Sequence, residues 1–220
     1  MDNQLEPLNP KKVAFIAVDL QKDLPMTYHP YPYATITENA GKLARAFEQA
    51  GALNVFFKVD TTDGKDMLNP IADRSMVAKG AADIGDRQKF DQLTPELDCI
   101  KHALRITKHQ WGSFYGTELD LQLRRRGIDT IVLSGVAIGF GVDTTAREAY
   151  QHGYHIIFAE DAMGALKSVA ATGNPLALRS LGMLLATRGD DSGREGILLL
   201  EDAANKGDVA AMKILARFHA

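Results

Sequence analysis

With 220 residues, 45% of them hydrophobic, and a net charge of −3, the chain can bury one sizeable core and offers no basic surface for nucleic acid or an anionic membrane. No apolar run approaches the roughly 20 residues that span a bilayer. A single cysteine, Cys99, excludes an intrachain disulfide and fits a reducing cytoplasm, as does an acidic, polar N-terminus unlike a signal peptide.

Taken in order, the apolar run from Val13 to Val18, ending in Asp19, predicts a strand buried on both faces of a parallel sheet. Thr37 to Ala50 reads as a helix with Leu43, Ala46, Phe47 and Ala50 on one face and Gly51 as its stop. Leu53 to Val59 is the second strand. From Thr61 to about Pro95 periodicity is weak, and so long a stretch is expected to carry short helices or part of a site. Ala103 to Thr107 is a third strand running into Lys108. Glu118 to Arg126 is helical, with Thr117 as N-cap and Gly127 as stop. Asp129 to Ser134 is the fourth strand, Gly141 to His152 a helix ended by Gly153, and Tyr154 to Ala159 a fifth strand closing on Asp161. Strands alternating with helices give an α/β three-layer sandwich with a mainly parallel sheet. Ligands of such sheets sit at the carboxyl ends of strands, where Asp19, Lys108, the 135–141 turn and Asp161 are all expected.

Beyond Ala170 the pattern is helical. Gly173 and Gly207, Ala177 and Ala211, and Leu181 and Leu215 recur at 34 residues (207 − 173), the period of helix-pair repeats, and in this the tail resembles Sel1-like repeats. Two partial copies are fewer than such repeats need, so the simpler reading is preferred: the first copy closes the α/β unit and the second caps it. The boundaries follow as an α/β domain over residues 1–190 and a helical C-terminal extension over 191–220, a face open to a protein partner.

Three separated segments carry the chemistry. They are Val18-Asp-Leu-Gln21, Lys108-His-Gln-Trp-Gly-Ser-Phe-Tyr-Gly-Thr117, and Gly135-Val-Ala followed by Thr145-Ala-Arg-Glu-Ala149. In order and interval they resemble the isochorismatase-like hydrolase superfamily over about residues 12–165. The resemblance implies a parallel sheet flanked by helices, a site at the strand ends, a small-molecule substrate and a homo-oligomer. Its larger branch uses Asp, Lys and Cys, which fall on Asp19, Lys108 and Gly141. The chain therefore departs from the pattern at the nucleophile, and the acyl-enzyme route of cysteine amidohydrolases is closed to it. Cys99 precedes the third strand, at the wrong end of the sheet, and neither Ser113 nor Ser134 has an evident His base.

Asp19 and Lys108 are expected to meet across neighbouring strand tips as an ion pair that can relay a proton. True isochorismatases of the superfamily also lack the cysteine. Their logic implies that a protonated Asp19 delivers a proton to an enol-ether carbon and water captures the oxocarbenium ion. That role requires burial to raise the Asp19 pKa against the lowering effect of Lys108, and the sequence leaves the winner open. Two other readings stay open: a catalytically inactive binding or scaffold protein, and an amidase that activates water.

The 135–141 turn opens a helix whose backbone N–H groups would attract a carboxylate or oxyanion, and the family's non-proline cis peptide would fall at Val136–Ala137. Gln21, Trp111, Phe114, Ala137 and Phe140 are assigned to substrate binding, with Tyr115 also near Lys108. The cluster Tyr28-His-Pro-Tyr-Pro-Tyr33 reads as a lid, and His29 and His109 are the histidines near the site. Val59-Asp-Thr-Thr62 lacks the histidine of the nicotinamidase metal motif, so neither metal nor other cofactor is expected. Asp143, Arg147 and Glu148 read as a solvated helix face.

Overall fold

In the computed structural model, which describes residues 7–22, 28–60, 66, 91–166 and 191–218, strand β1 (Val13–Val18) runs through the middle of the sheet. Around it lie β2 (Tyr28–His29), β3 (Leu53–Val59), β4 (Ala103–Lys108), β5 (Thr130–Val136) and β6 (His155–Leu166), in the order β2-β6-β5-β1-β3-β4. Every neighbouring pair is parallel except β2 with β6. Flanked on both edges and covered on both faces, β1 is wholly buried, which is why its sequence does not alternate.

Successive β1 side chains enter two separate cores. Val13, Phe15 and Ala17 pack with α1 (Tyr33–Gln49) and the single turn α2 (Pro95–Asp98). Ala14, Ile16 and Val18 pack with α3 (Leu119–Arg125) and α4 (Asp143–Gln151). Burying each large apolar side chain contributes about 1.5–3 kcal/mol. The three layers expected from the sequence are present.

Helix α1 begins at Tyr33, directly after Pro32, four residues ahead of the expected start at Thr37. Its buried face is Ile36, Thr37, Ala40, Gly41 and Ala44; Leu43 and Phe47 flank it, while Ala46 and Ala50 are exposed. The small residues win that face because α2 comes close: a Cβ on Gly41 would lie 2.8 Å from the Glu96 Cβ. The N-cap of α3 is Glu118, one residue later than the expected Thr117, whose Oγ1 still accepts the Leu119 N–H at 3.2 Å.

Strand β6 does not stop at Ala159. Its parallel register with β5 shifts after Leu133, which pairs Phe158, and resumes with Gly135 opposite Met163. The residues between bulge out of the ladder, and the strand then carries on to pair antiparallel with β2. Asp161 therefore lies exposed in a bulge within the strand rather than at its end, its carbonyl accepting from Asn39 Nδ2 at 2.9 Å.

Helices α5 (Asp191–Asn205) and α6 (Val209–Phe218) form a hairpin around Leu200, Ala203 and Ala211, turning at Gly207 with φ of 89°. Leu199 of α5 packs against Ala165 of the α/β unit, as does Ile138. The earlier copy of the proposed repeat, with Gly173, Ala177 and Leu181, lies outside the described residues, as does nearly all of the weakly periodic stretch after Thr61. Among the described residues no helix is long and apolar enough to cross a membrane.

Candidate active site

The sheet reverses its winding at β1, since the chain moves outward to β3 and β4 on one side and returns to β5 and β6 on the other. Ligands of open α/β sheets bind in the crevice at such a switch. Asp19 ends β1 there in a left-handed conformation, φ 54°, which costs a residue with a side chain about 1–2 kcal/mol. Gln21 holds the departing chain in place. Its Nε2 donates to Val59 O at 3.1 Å and its Oε1 accepts from Val59 N at 2.8 Å, so a side chain continues the pairing with β3 that the backbone has left.

Lys108, at the tip of β4, is 1% exposed and reaches Asp19 Oδ2 at 2.7 Å. The two strands are not neighbours: β3 lies between them, and the four-carbon lysine stem crosses it. The ammonium's remaining protons go to the carbonyls of Gln110 at 3.2 Å and Trp111 at 2.7 Å. With all three donors engaged, Lys108 is held as a fixed cation. Asp19 Oδ1 is buried and has no hydrogen-bond partner among the described residues. Burial raises the Asp19 pKa above the usual carboxylate range, and the Lys108 charge and hydrogen bond offset only part of that rise. The question left open by the sequence is answered in favour of desolvation.

Facing the pair, β5 ends in a cis peptide at Val136–Ala137, and the chain winds through one wide π-helical turn, Ile138–Val142, into α4. The Ala137 carbonyl accepts from Phe140 N at 3.0 Å and Val142 N at 3.3 Å. Gly141 stands over the ion pair. A Cβ built there would lie 3.1 Å from Asp19 Oδ2 and 3.4 Å from Lys108 Nζ. The position to which the resemblance assigns the thiol thus adjoins both charged groups. Gly135 is required for a different reason: φ is 119° and a Cβ would meet Val18 O at 2.1 Å.

Residues 13–184 match the isochorismatase domain family. The chain belongs to the isochorismatase family. YwoC of Bacillus subtilis strain 168, an isochorismatase family protein, is 42% identical over 154 residues, covering 70% of this chain and 78% of that relative. The solved structure of an isochorismatase family protein from Burkholderia thailandensis superposes with a TM-score of 0.64 at 33% identity, covering 75% of this chain and 85% of the other. N-carbamoylsarcosine amidase from Thermoplasma acidophilum gives 0.56 at 25% identity, with coverages of 70% and 84%. Members of the family are hydrolases, and this chain is an isochorismatase-family hydrolase.

Of the other residues assigned to this hydrolase's site, Trp111 and Phe140 meet edge to face at 5.2 Å, joining the lysine loop to the turn before Gly141. Ala137 is half-buried at the cis peptide. Phe114 is not with them. It stacks on His152 at 5.0 Å and leans on Tyr154 at 5.8 Å, toward the end of the sheet where β6 begins, because its neighbours in the loop are anchored to α4. Gln21 is likewise fully buried, its carboxamide engaged with β3.

The tyrosine-rich segment is no free lid. Tyr28 is buried in β2, Tyr33 opens α1 and donates to Gln21 O at 2.6 Å, and the rings stack at 5.3 Å. Burial, with the charge of Asp19 adding to it, pushes both phenols well above their ordinary pKa, so they remain neutral. His29 pairs with Ala165 in the sheet, and His109 Nδ1 bonds the Asp60 carbonyl at 2.7 Å. Ser113 is bonded to Thr145, and Ser134 Oγ is buried with no partner among the described residues. Cys99 is exposed ahead of β4, at the far end of the sheet.

Arg147 pairs Asp143 at 2.9 Å as expected, but Glu148 turns inward and accepts the Phe114 N–H at 3.1 Å. Sequence reasoning missed that contact and the role of Thr145. The available signal was Gly112 in the lysine loop, where a Cβ would fall 2.3 Å from Glu148 Oε2. Gln110, Trp111, Tyr115, Thr144 and Glu148 also line a recess of about 390 Å³ beside the loop.

Proposed function

We propose that this hydrolase cleaves a small polar organic substrate by acid–base chemistry at Asp19, without a covalent enzyme intermediate. The reading is carried by the buried Asp19–Lys108 pair at 2.7 Å beside a residue with no side chain. A carboxyl whose pKa burial has raised keeps its proton to higher pH than a solvated one and so suits the role of general acid. Lys108 fixes its orientation and stabilises the carboxylate left after transfer. The turn before Gly141 offers backbone N–H groups to the substrate's anionic or carbonyl end.

Enol-ether hydrolysis fits this set best. Asp19 gives its proton to the vinylic carbon, water adds to the resulting oxocarbenium ion, and the carboxylate recovers a proton from that water. The hemiketal then collapses to ketone and alcohol. A second reading, amide hydrolysis by activated water, is favoured by the likeness to N-carbamoylsarcosine amidase.

Hydrolysis in D2O of a panel of cyclic vinyl ethers and simple amides separates them. Proton transfer to carbon leaves deuterium in the product; amide cleavage leaves none. Asp19→Asn should lower turnover by at least about 100-fold, within the usual range for a general acid. Wild-type turnover in that variant would remove Asp19 from the mechanism, and inertness toward the whole panel would favour a binding or scaffold role.

A further inference from the structure

Lys108 is oriented by two backbone carbonyls, and the loop that supplies them is itself held from α4. Ser113 N–H donates to Thr145 Oγ1 at 3.1 Å, and the next amide, Phe114 N–H, donates to Glu148 Oε2 at 3.1 Å. Thr145 and Glu148 are three residues apart, so they share one face of the helix. Thr145 Oγ1 also lies 2.6 Å from Gly141 O and 2.9 Å from Ser113 Oγ. A carbonyl can only accept, so the Thr145 proton goes to Gly141 and the Ser113 hydroxyl donates to Thr145. Neither Ser113 nor Thr145 has any exposure. Gly112 adds the complementary shape, its missing side chain leaving room for the Glu148 carboxylate. The contacts run without a break from α4 through amides 113 and 114 to carbonyls 110 and 111, then to the Lys108 ammonium and Asp19. Thr145 touches both sides of the pair, since it also fixes the carbonyl of Gly141.

We propose that Thr145 and Glu148 are positioning residues, clamping consecutive amides of the 110–114 loop so that its carbonyls aim Lys108 at Asp19. The proposal deepens the reading of Asp19 and Lys108 as the working pair and rests on it. Without the clamp, a 1 Å drift of the loop would stretch the Trp111 contact from 2.7 Å to beyond hydrogen-bond range (~3.5 Å). The ammonium would then loosen its hold on Asp19 and admit solvent.

The test uses lysine-selective 1H–15N spectra of the full chain, with Lys108 assigned by its loss in Lys108→Met, and the 13C titration of the Asp19 carboxyl. In Thr145→Val/Glu148→Ala the Lys108 ammonium signal should vanish into solvent exchange, and Asp19 should titrate higher by about half a pH unit or more. Thr145→Ser and Glu148→Gln keep an acceptor oxygen at each place and should retain the signal. A folded double variant with both readouts at wild-type values would overturn the proposal. If that variant does not fold, hydrogen exchange in the wild type decides. Amides 113 and 114 should exchange at least about 100-fold slower than unprotected amides, and unprotected exchange would overturn the clamp. No readout depends on turnover, so failure of the clamp and failure of the hydrolytic reading are distinguishable.

Discussion

Replacing Lys108 by methionine keeps the length of the side chain and removes its charge. Native Lys108 is 1% exposed and the Asp19 side chain 14%, so water cannot fully replace the lost partner. One Asp19 oxygen already has no hydrogen-bond partner among the described residues, and the variant takes the 2.7 Å donor from the other. Breaking a buried pair from one side costs about 3–5 kcal/mol. That cost has a pH dependence of known sign. Burial places the folded-state pKa of Asp19 above that of the unfolded chain, and Lys108 restrains the rise. A raised folded pKa means the native state holds the proton more tightly, so stability is lost as pH climbs from the unfolded value to the folded one. Lys108→Met lifts the folded pKa further, and the penalty grows by about 1.4 kcal/mol for each pH unit added to that interval. Urea unfolding of both proteins from about pH 4.5 upward should show the stability gap widening with pH. A gap of constant size across that range would refute the placement of Asp19 in a desolvated site governed by Lys108.

Gly135→Ala should prevent folding, because its methyl would sit 2.1 Å from the Val18 carbonyl at a φ of 119°; circular dichroism of the expressed chain checks this. Gly141→Ala is a milder change at ordinary φ. A methyl 3.1–3.4 Å from its neighbours needs a shift of only a few tenths of an ångström, and helix propensity returns about 0.5–1 kcal/mol. That variant should unfold at a denaturant midpoint near that of the wild type yet turn over several-fold more slowly, because the methyl occupies the approach to Asp19. Alkylating Cys99 with iodoacetamide should leave turnover unchanged, and Cys99→Ser should alter stability by no more than about 0.5 kcal/mol, since the thiol is exposed at the far end of the sheet.

Much of this molecule is written locally. The β1 run and the glycines that stop α1, α3 and α4 each depend on residues within a few positions, and all are where the pattern puts them. Asp19, Lys108 and Gly141 could be read because family motifs mark them at strand ends. Strand order could not. Nothing in the chain says that β3 lies between Asp19 and Lys108, so the motifs predict their meeting but not its span. Side-chain bulk points to the wrong face of α1, because the nearness of α2 selects for smallness there. Phe114 and Glu148 escape a local reading for a similar reason. An aromatic ring beside the site lysine suggests a pocket wall and a helical glutamate suggests solvent, but the loop folds back on α4. The bulge in β6 hid the second half of that strand, for acidic residues interrupt the apolar run just where the ladder skips.

Leu199 lies far along the chain from Ile138, yet both pack against Ala165. Ile138 is the first residue of the wide turn that carries Gly141 over the ion pair. Through Ala165 the helical hairpin backs the turn at the candidate site rather than standing apart from it. Trimming the chain after the sheet, or grafting another sequence in place of α5, would bare the apolar face of Ala165 behind that turn.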